Sequence, residues 1–190
     1  MSLPPCPEIR TARLVVRTVA EPDLEDLLEV NGDDAVTRHL PYASWRSRED
    51  ALAWLTRMQA LCATGTARQL VIERQSDRKV IGTVLVFQFD EQSARVEIGY
   101  VLGRAHWRRG YATEALLAVC RKAFEAMGIR RIEAEARPDN VASNQLLQSL
   151  GFTHEGRLRQ RWTAKGETYD TNIYGFLVDD WLERNAGGIT

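Results

Sequence analysis

The chain has little that would tie it to a metal, a membrane or a polyanion. It contains three cysteines, Cys6, Cys62 and Cys120, scattered and odd in number, with no pair at metal-ligand spacing. Reduced thiols in a cytoplasmic protein are the simple reading. None of the three histidines, His39, His106 and His154, has a cysteine or carboxylate at ligand spacing, so no metal is expected. No stretch approaches the ~20 apolar residues that span a bilayer, and the opening MSLPPCPEIR lacks the apolar run of a signal peptide. A cytoplasmic location without membrane contact is the expectation. An excess of charge is missing too: 25 Lys and Arg against 26 Asp and Glu leave a formal net charge of -1. With no basic stripe or aromatic platform, no nucleic-acid partner is expected.

Hydrophobic residues make up 44% of the 190, enough to fill one core, so residues 1–190 read as a single domain. Pro4, Pro5 and Pro7 make residues 1–9 an irregular segment. RLVVRTV (13–19) alternates and is β-branched, which predicts a strand; EPDLEDLLEVN and SREDALAWLTRMQAL predict helices, the second capped by Ser47. RQLVIERQ and KVIGTVLVFQF are strands around an SDRK turn, and ARVEIGYVL (94–102) is a fourth strand. A long helix follows, with Ala112, Ala115, Leu116, Val119, Cys120, Ala123 and Met127 on one stripe and Gly128 at its end. RRIEAEARP is a fifth strand, DNVASNQLLQSLGF a short helix capped by Asn140, and two more strands and a helical turn at DDWLER close the chain. Three consecutive strands favour antiparallel pairing, whereas the strand-helix-strand step from Val96 to Ala136 implies a parallel crossover. The class is α+β, with a mixed sheet and helices packed against it.

The stretch HWRRGYAT (106–113) joins the fourth strand to the long helix. Gly110 lets the backbone turn there. The amides that open the following helix lack earlier carbonyls to bond, and Arg108 and Arg109 add charge, a combination suited to a phosphate or pyrophosphate. A plain turn with solvated arginines would use the same residues. The loop is neither GxxxxGK[ST] nor GxGxxG.

In order, VEIGYVL, WRRGYAT, a long helix, IEAEARPDN and NxxSxxLLxxLGF resemble the GCN5-related N-acetyltransferases, most closely the RimJ/RimL type that includes the ribosomal-protein N-terminal acetyltransferases. The likeness runs from RTARLVVR to DDWL. It implies a mostly antiparallel sheet splayed between its fourth and fifth strands, and acetyl transfer from acetyl-CoA, the co-substrate, to a primary amine. It implies that the amides of Arg108, Arg109, Gly110, Tyr111, Ala112 and Thr113 hold the pyrophosphate. The backbone of Tyr100, Val101 and Leu102 would face the pantetheine arm, and Asn140 would bond that arm. Two departures stand out. Trp107 begins the loop, and Arg108 replaces a common small residue. The family's acidic tyrosine, seven residues after the Asn, is Leu147 here.

An amine attacks a thioester only when unprotonated, and an α-amine (pKa ~7.7–8.0) meets that condition more easily than a lysine (~10.4). Glu97 is the candidate base: it lies on the strand face opposite Val96, Ile98 and Tyr100, beside Gly99, where burial would raise its pKa. A structural glutamate salt-bridged to Arg95 or across the sheet is the alternative. Ser143, three residues after Asn140, is the candidate partner of the leaving thiolate, or else a serine satisfying a backbone amide. Trp45, Trp54 and Trp162 either wall an acceptor pocket or pack the core. His106 could meet a phosphate, Arg157 to Trp162 form a solvated face, and Tyr169 and Asp170 point weakly to the acceptor. The acceptor is a protein N-terminus or a small amine (amino acid, polyamine or antibiotic). A coenzyme-binding module without catalysis is the competing class, and monomer and homodimer both fit.

Overall fold

The structure is a computed structural model that describes residues 2–4 and 8–186, the side chains of 185 and 186 excepted. Cys6, Pro5 and Pro7 lie outside the described residues. The strands are β1 (Ile9–Arg10), β2 (Leu14–Thr18), β3 (Arg68–Arg74), β4 (Val80–Asp90), β5 (Arg95–Leu102), β6 (Arg131–Ala136), β7 (Thr153–Ala164) and β8 (Glu167–Leu177). The helices are α1 (Leu24–Gly32), α2 (Asp34–Thr37), α3 (Arg48–Ala63), α4 (Tyr111–Ala126), α5 (Val141–Leu150) and α6 (Val178–Ala186).

The strands form one sheet in the order β1-β2-β3-β4-β5-β6-β8-β7. Each pair is antiparallel except β5–β6, which the crossover through α4 makes parallel. Two short elements depart from the sequence reading. Ile9 pairs with Val16 and Arg10 with Val15, so the irregular segment expected through residue 9 stops short of Ile9. The four-residue α2 arises where the Asp33 side chain accepts from Ala35 N at 2.9 Å. Because β1 adds one to the count, the expected fourth and fifth strands are β5 and β6.

Strand alternation sends side chains to two cores. Leu70 and Ile72 join α4 and α5 on one face, with Leu116, Val119, Leu147 and Leu150. Val71 goes to the other face, where Leu27, Trp45, Trp54 and Leu55 of the α1–α3 region pack on it. α4 buries Ala115, Leu116, Val119, Cys120 and Ala123 of the expected stripe, with Phe124 added and Ala112 and Met127 only half-buried, and stops before Gly128, whose φ is 68°. The second core reaches Val71 and Val80 on the first half of the sheet, and no residue of β5 or β6 belongs to it. Glu97, Glu133 and Glu135 therefore share a face that α1 and α3 leave uncovered.

Candidate active site

The sheet comes apart at one point. β5 and β6 pair at Arg95–Arg131, Val96–Ile132 and Glu97–Glu133, and no further. Beyond Glu97, β5 stays on β4 as far as Leu102–Gly82, and β6 stays on β8 as far as Ala136–Asn172. The expected splay is present, with Glu97 at its apex. Gly103 N donates to Ile81 O at 2.8 Å. By ladder alternation Val101, opposite Thr83, also turns its backbone to β4. Of the three residues expected to line the gap, only Tyr100 and Leu102 therefore turn polar backbone groups toward it. The Leu102 carbonyl already accepts from Trp107 Nε1 at 2.7 Å, which leaves the Leu102 N–H and the Tyr100 backbone groups open there.

The loop after β5 lies beside the wide end of this split. Arg108 has φ 57° and Gly110 φ 77°, so two left-handed residues bend the chain into α4. The first backbone bond of α4 is Glu114 N to Gly110 O at 3.0 Å. Among the described residues, the amides from Arg108 to Thr113 donate to no protein acceptor. Arg108 and Arg109 are exposed beside them. Arg13, from the turn into β2, holds the loop: its Nη1 donates to Arg109 O at 3.0 Å, its Nε to Glu114 Oε2 at 2.6 Å, and its guanidinium lies 4.5 Å from the Tyr111 ring centre. Glu114 Oε1 also accepts from Thr11 Oγ1 at 2.6 Å. His106 stands edge-on to Tyr111 at 6.2 Å, and burial, with the nearby cations, lowers its pKa.

Glu97 is half-buried and makes no ion pair among the described residues. Its one side-chain bond comes from Gln88 Nε2, at 3.0 Å. Gln88 reaches it because β4 bulges between Phe87 and Asp90, with Gln88 at φ 52°. The two neighbouring carboxylates are held differently. Glu133 accepts from Arg95 Nη1 at 2.7 Å and from Arg131 Nε at 2.8 Å. Glu135 accepts from Trp162 Nε1 at 2.6 Å and lies 3.7 Å from Arg161. Arg95, the alternative partner read for Glu97 from the sequence, is engaged by Glu133. Burial pushes the Glu97 carboxyl up to about 7; negative Glu135 and Glu133 add to the rise, while Arg161 and Arg95 oppose it.

On the helix side of the split, Asn140 caps α5. Its side-chain oxygen accepts from Ser143 N at 3.2 Å, while its Nδ2 makes no bond among the described residues. The Ser143 hydroxyl bonds the Tyr100 hydroxyl at 2.7 Å, not a backbone amide. Leu147 is fully buried in the core. Sequence reasoning placed the Tyr100 side chain on the core face but missed its reach to Ser143, which only the distance between β5 and α5 reveals. It missed Gln88 and Arg13 as well: a bulge and a contact across 101 residues leave no local pattern.

Several weaker candidates lie elsewhere. Trp45 and Trp54 pack on each other at 5.3 Å in the second core. Trp162 is exposed and bonds Glu135. Asp170 is engaged within the β7–β8 hairpin, accepting from Arg157 Nε and Gln160 N, both at 2.9 Å. Tyr169 lies under the Arg137 guanidinium at 4.2 Å. The β7–β8 turn, with Lys165 at φ 52° and Gly166 at φ 78°, brings Lys165 Nζ to Thr37 O at 2.8 Å and Arg38 O at 3.2 Å.

A parallel pair that opens beside a helix with unbonded leading amides is the arrangement that the resemblance to the N-acetyltransferases implies. The acetyltransferase (GNAT) domain matches residues 13–153, and the chain belongs to that family. It is 35% identical over 171 residues to the uncharacterized N-acetyltransferase YoaA of Bacillus subtilis, across 90% of this chain and 97% of that one. It is 28% identical to the ribosomal-protein-serine acetyltransferase of Escherichia coli, across 70% of this chain and 74% of that one. A crystal structure from Chromobacterium violaceum, described as a "probable" GNAT-family acetyltransferase, superposes with a TM-score of 0.84 at 27% identity, covering 95% of this chain and 92% of the other. The protein is an acetyltransferase enzyme.

Proposed function

We propose that the protein transfers the acetyl group of acetyl-CoA to an α-amine, as an enzyme of the RimJ/RimL type, with the cytoplasm as its location. The observation that carries this reading is the coincidence of the split at Glu97 with the unbonded amides of Arg108 to Thr113. Those amides, with Arg108 and Arg109, suit a diphosphate: donors converge at the positive end of α4, and Gly110 puts no side chain in the way. The Tyr100 backbone and the free Nδ2 of Asn140 are available to the amides of the coenzyme arm. Arg108, Arg109, Gly110, Tyr111, Ala112, Thr113, Tyr100, Leu102 and Asn140 are the binding set.

Glu97 takes the proton of the attacking amine. A carboxylate with a pKa of about 7 is a base within about a unit of an α-amine at ~7.7–8.0, and far from a lysine at ~10.4. That match, together with the name of the Escherichia coli relative, supports a protein or peptide N-terminus over a side-chain amine. Gln88 fixes the carboxylate from β4. Holding both reactants at the apex of the split supplies the greater part of the rate. Ser143 faces the departing sulfur.

The test is CoA released from acetyl-CoA with peptides of varied N-terminal residue against small amines. Turnover confined to peptides is the expected result. Turnover confined to polyamines or amino acids would replace the acceptor class. Tight acetyl-CoA binding with no turnover on any amine would turn the reading into a binding module.

A further inference from the structure

Tyr100 carries a side-chain hydroxyl that the reading above leaves without a task. It comes from β5, packs against the core under α4 and α5, and meets Ser143 in the first turn of α5 at 2.7 Å. β5 and α5 lie on opposite sides of the split, since α5 follows β6. The bond thus spans the gap from the helix side. Either oxygen could donate by geometry alone. Chemistry decides the direction: a phenol (pKa ~10) is far more acidic than an alkyl alcohol, hence the stronger donor, and the serine oxygen is the better acceptor. Burial pushes the Tyr100 phenol up to about 12, which keeps its proton in place.

We propose that Tyr100 is a positioning residue for the departing sulfur: its phenol donates to Ser143 Oγ, so that the serine's own proton points into the split. This rests on the acetyl-transfer reading. Two further contacts narrow what Ser143 can do. Its backbone N–H is held by Asn140 Oδ1 at 3.2 Å, and its Oγ receives the phenol. The hydroxyl proton is what remains. The residue one turn on, Leu147, is apolar and buried, so it offers no competing donor.

The step balances without any further reactant. The amine nitrogen forms a bond to the acetyl carbon, and its proton passes to Glu97. The carbon–sulfur bond then breaks with its electron pair staying on sulfur. Ser143 donates a hydrogen bond to that thiolate, and solvent protonates the thiolate on release. Tyr100 keeps its proton throughout and acts only through Ser143.

A double-mutant cycle tests this, using the amine that the wild-type protein acetylates fastest and acetyl-CoA as donor. Ser143→Ala is expected to lower kcat about tenfold, as losing one hydrogen bond to a developing charge does. Tyr100→Phe is expected to lower it several-fold in the wild-type background and less than about twofold in the Ser143→Ala background. The Kd for acetyl-CoA stays within about twofold in both variants, which also shows that they are folded. Equal effects of Tyr100→Phe in the two backgrounds would overturn the proposal. So would tighter acetyl-CoA binding by Tyr100→Phe with kcat kept, because the bond would then bar the split. If Ser143→Ala alone leaves kcat unchanged, Tyr100 loses its target and the proposal falls, while acetyl transfer stands. Absence of turnover by the wild-type protein on every amine would instead remove the reading beneath it.

Discussion

Arg13 Nε lies 2.6 Å from Glu114 Oε2, joining the turn before β2 to the first turn of α4 across 101 residues of chain. The same guanidinium bonds Arg109 O and covers Tyr111, so it braces the loop whose amides are left unbonded. The ion pair is partly exposed, so its share of global stability is small, about 1 kcal/mol or less. Its effect on the loop is larger in proportion. Arg13→Ala is expected to raise the KM for acetyl-CoA about five- to tenfold with kcat changed less than about twofold, read from initial rates.

Glu97 gives a pH dependence of defined sign. A base must be deprotonated, so kcat/KM rises with pH through about 7 and flattens above it. Glu97→Gln is expected to remove that limb and to cost roughly 10²- to 10⁴-fold in kcat. Stability runs the other way. The folded pKa lies above the ordinary carboxylate value, so the folded state binds the proton more tightly than the unfolded one. This group's contribution therefore falls as pH rises from about 4.5 to about 7. Glu97→Gln should raise the melting temperature at pH 8, by on the order of 1–3 kcal/mol in stability, and change it little at pH 4.

Gly110 sits at φ 77°, where a Cβ is strained, and a Cβ there would lie 3.3 Å from Arg13 Nη2. Gly110→Ala should cost about 1–2 kcal/mol for the left-handed backbone. Relief of that strain would reorient the loop amides, so weaker acetyl-CoA binding in isothermal titration accompanies the loss.

The tip of the β7–β8 hairpin is tied to the end of α2 by Lys165. Lys165→Asn keeps a residue that tolerates φ 52° and removes the ammonium. If this tie shapes the acceptor side, the KM for the amine rises several-fold while the Kd for acetyl-CoA is unchanged.

The architecture was legible because its signals are local. Alternation marked the longer strands, the α4 stripe fixed its buried face, and the strand-helix-strand step required the one parallel pair. β1 escaped because two residues carry no period. The face on which Glu97 lies followed from strand alternation, and so did the rise in its pKa. What surrounds it did not follow. Gln88 arrives through a bulge, and Glu133 and Glu135 reach that face only because β6 pairs beside β5 in this register. Ser143 was visible as a residue near a cap, but its partner came from another strand. Tryptophans were ambiguous in the sequence because an indole packs as readily as it binds; Trp45 and Trp54 pack.

The sheet is in effect two blades, β1–β5 and β6–β8 with β7 outermost, riveted together at three residue pairs. Beyond the last rivet each blade is stiffened only on its outer side. A ligand whose arm bears peptide-like groups would serve as a guest strand between them. Such a guest would join the two blades beyond the point where their own pairing ends, at Glu97 and Glu133.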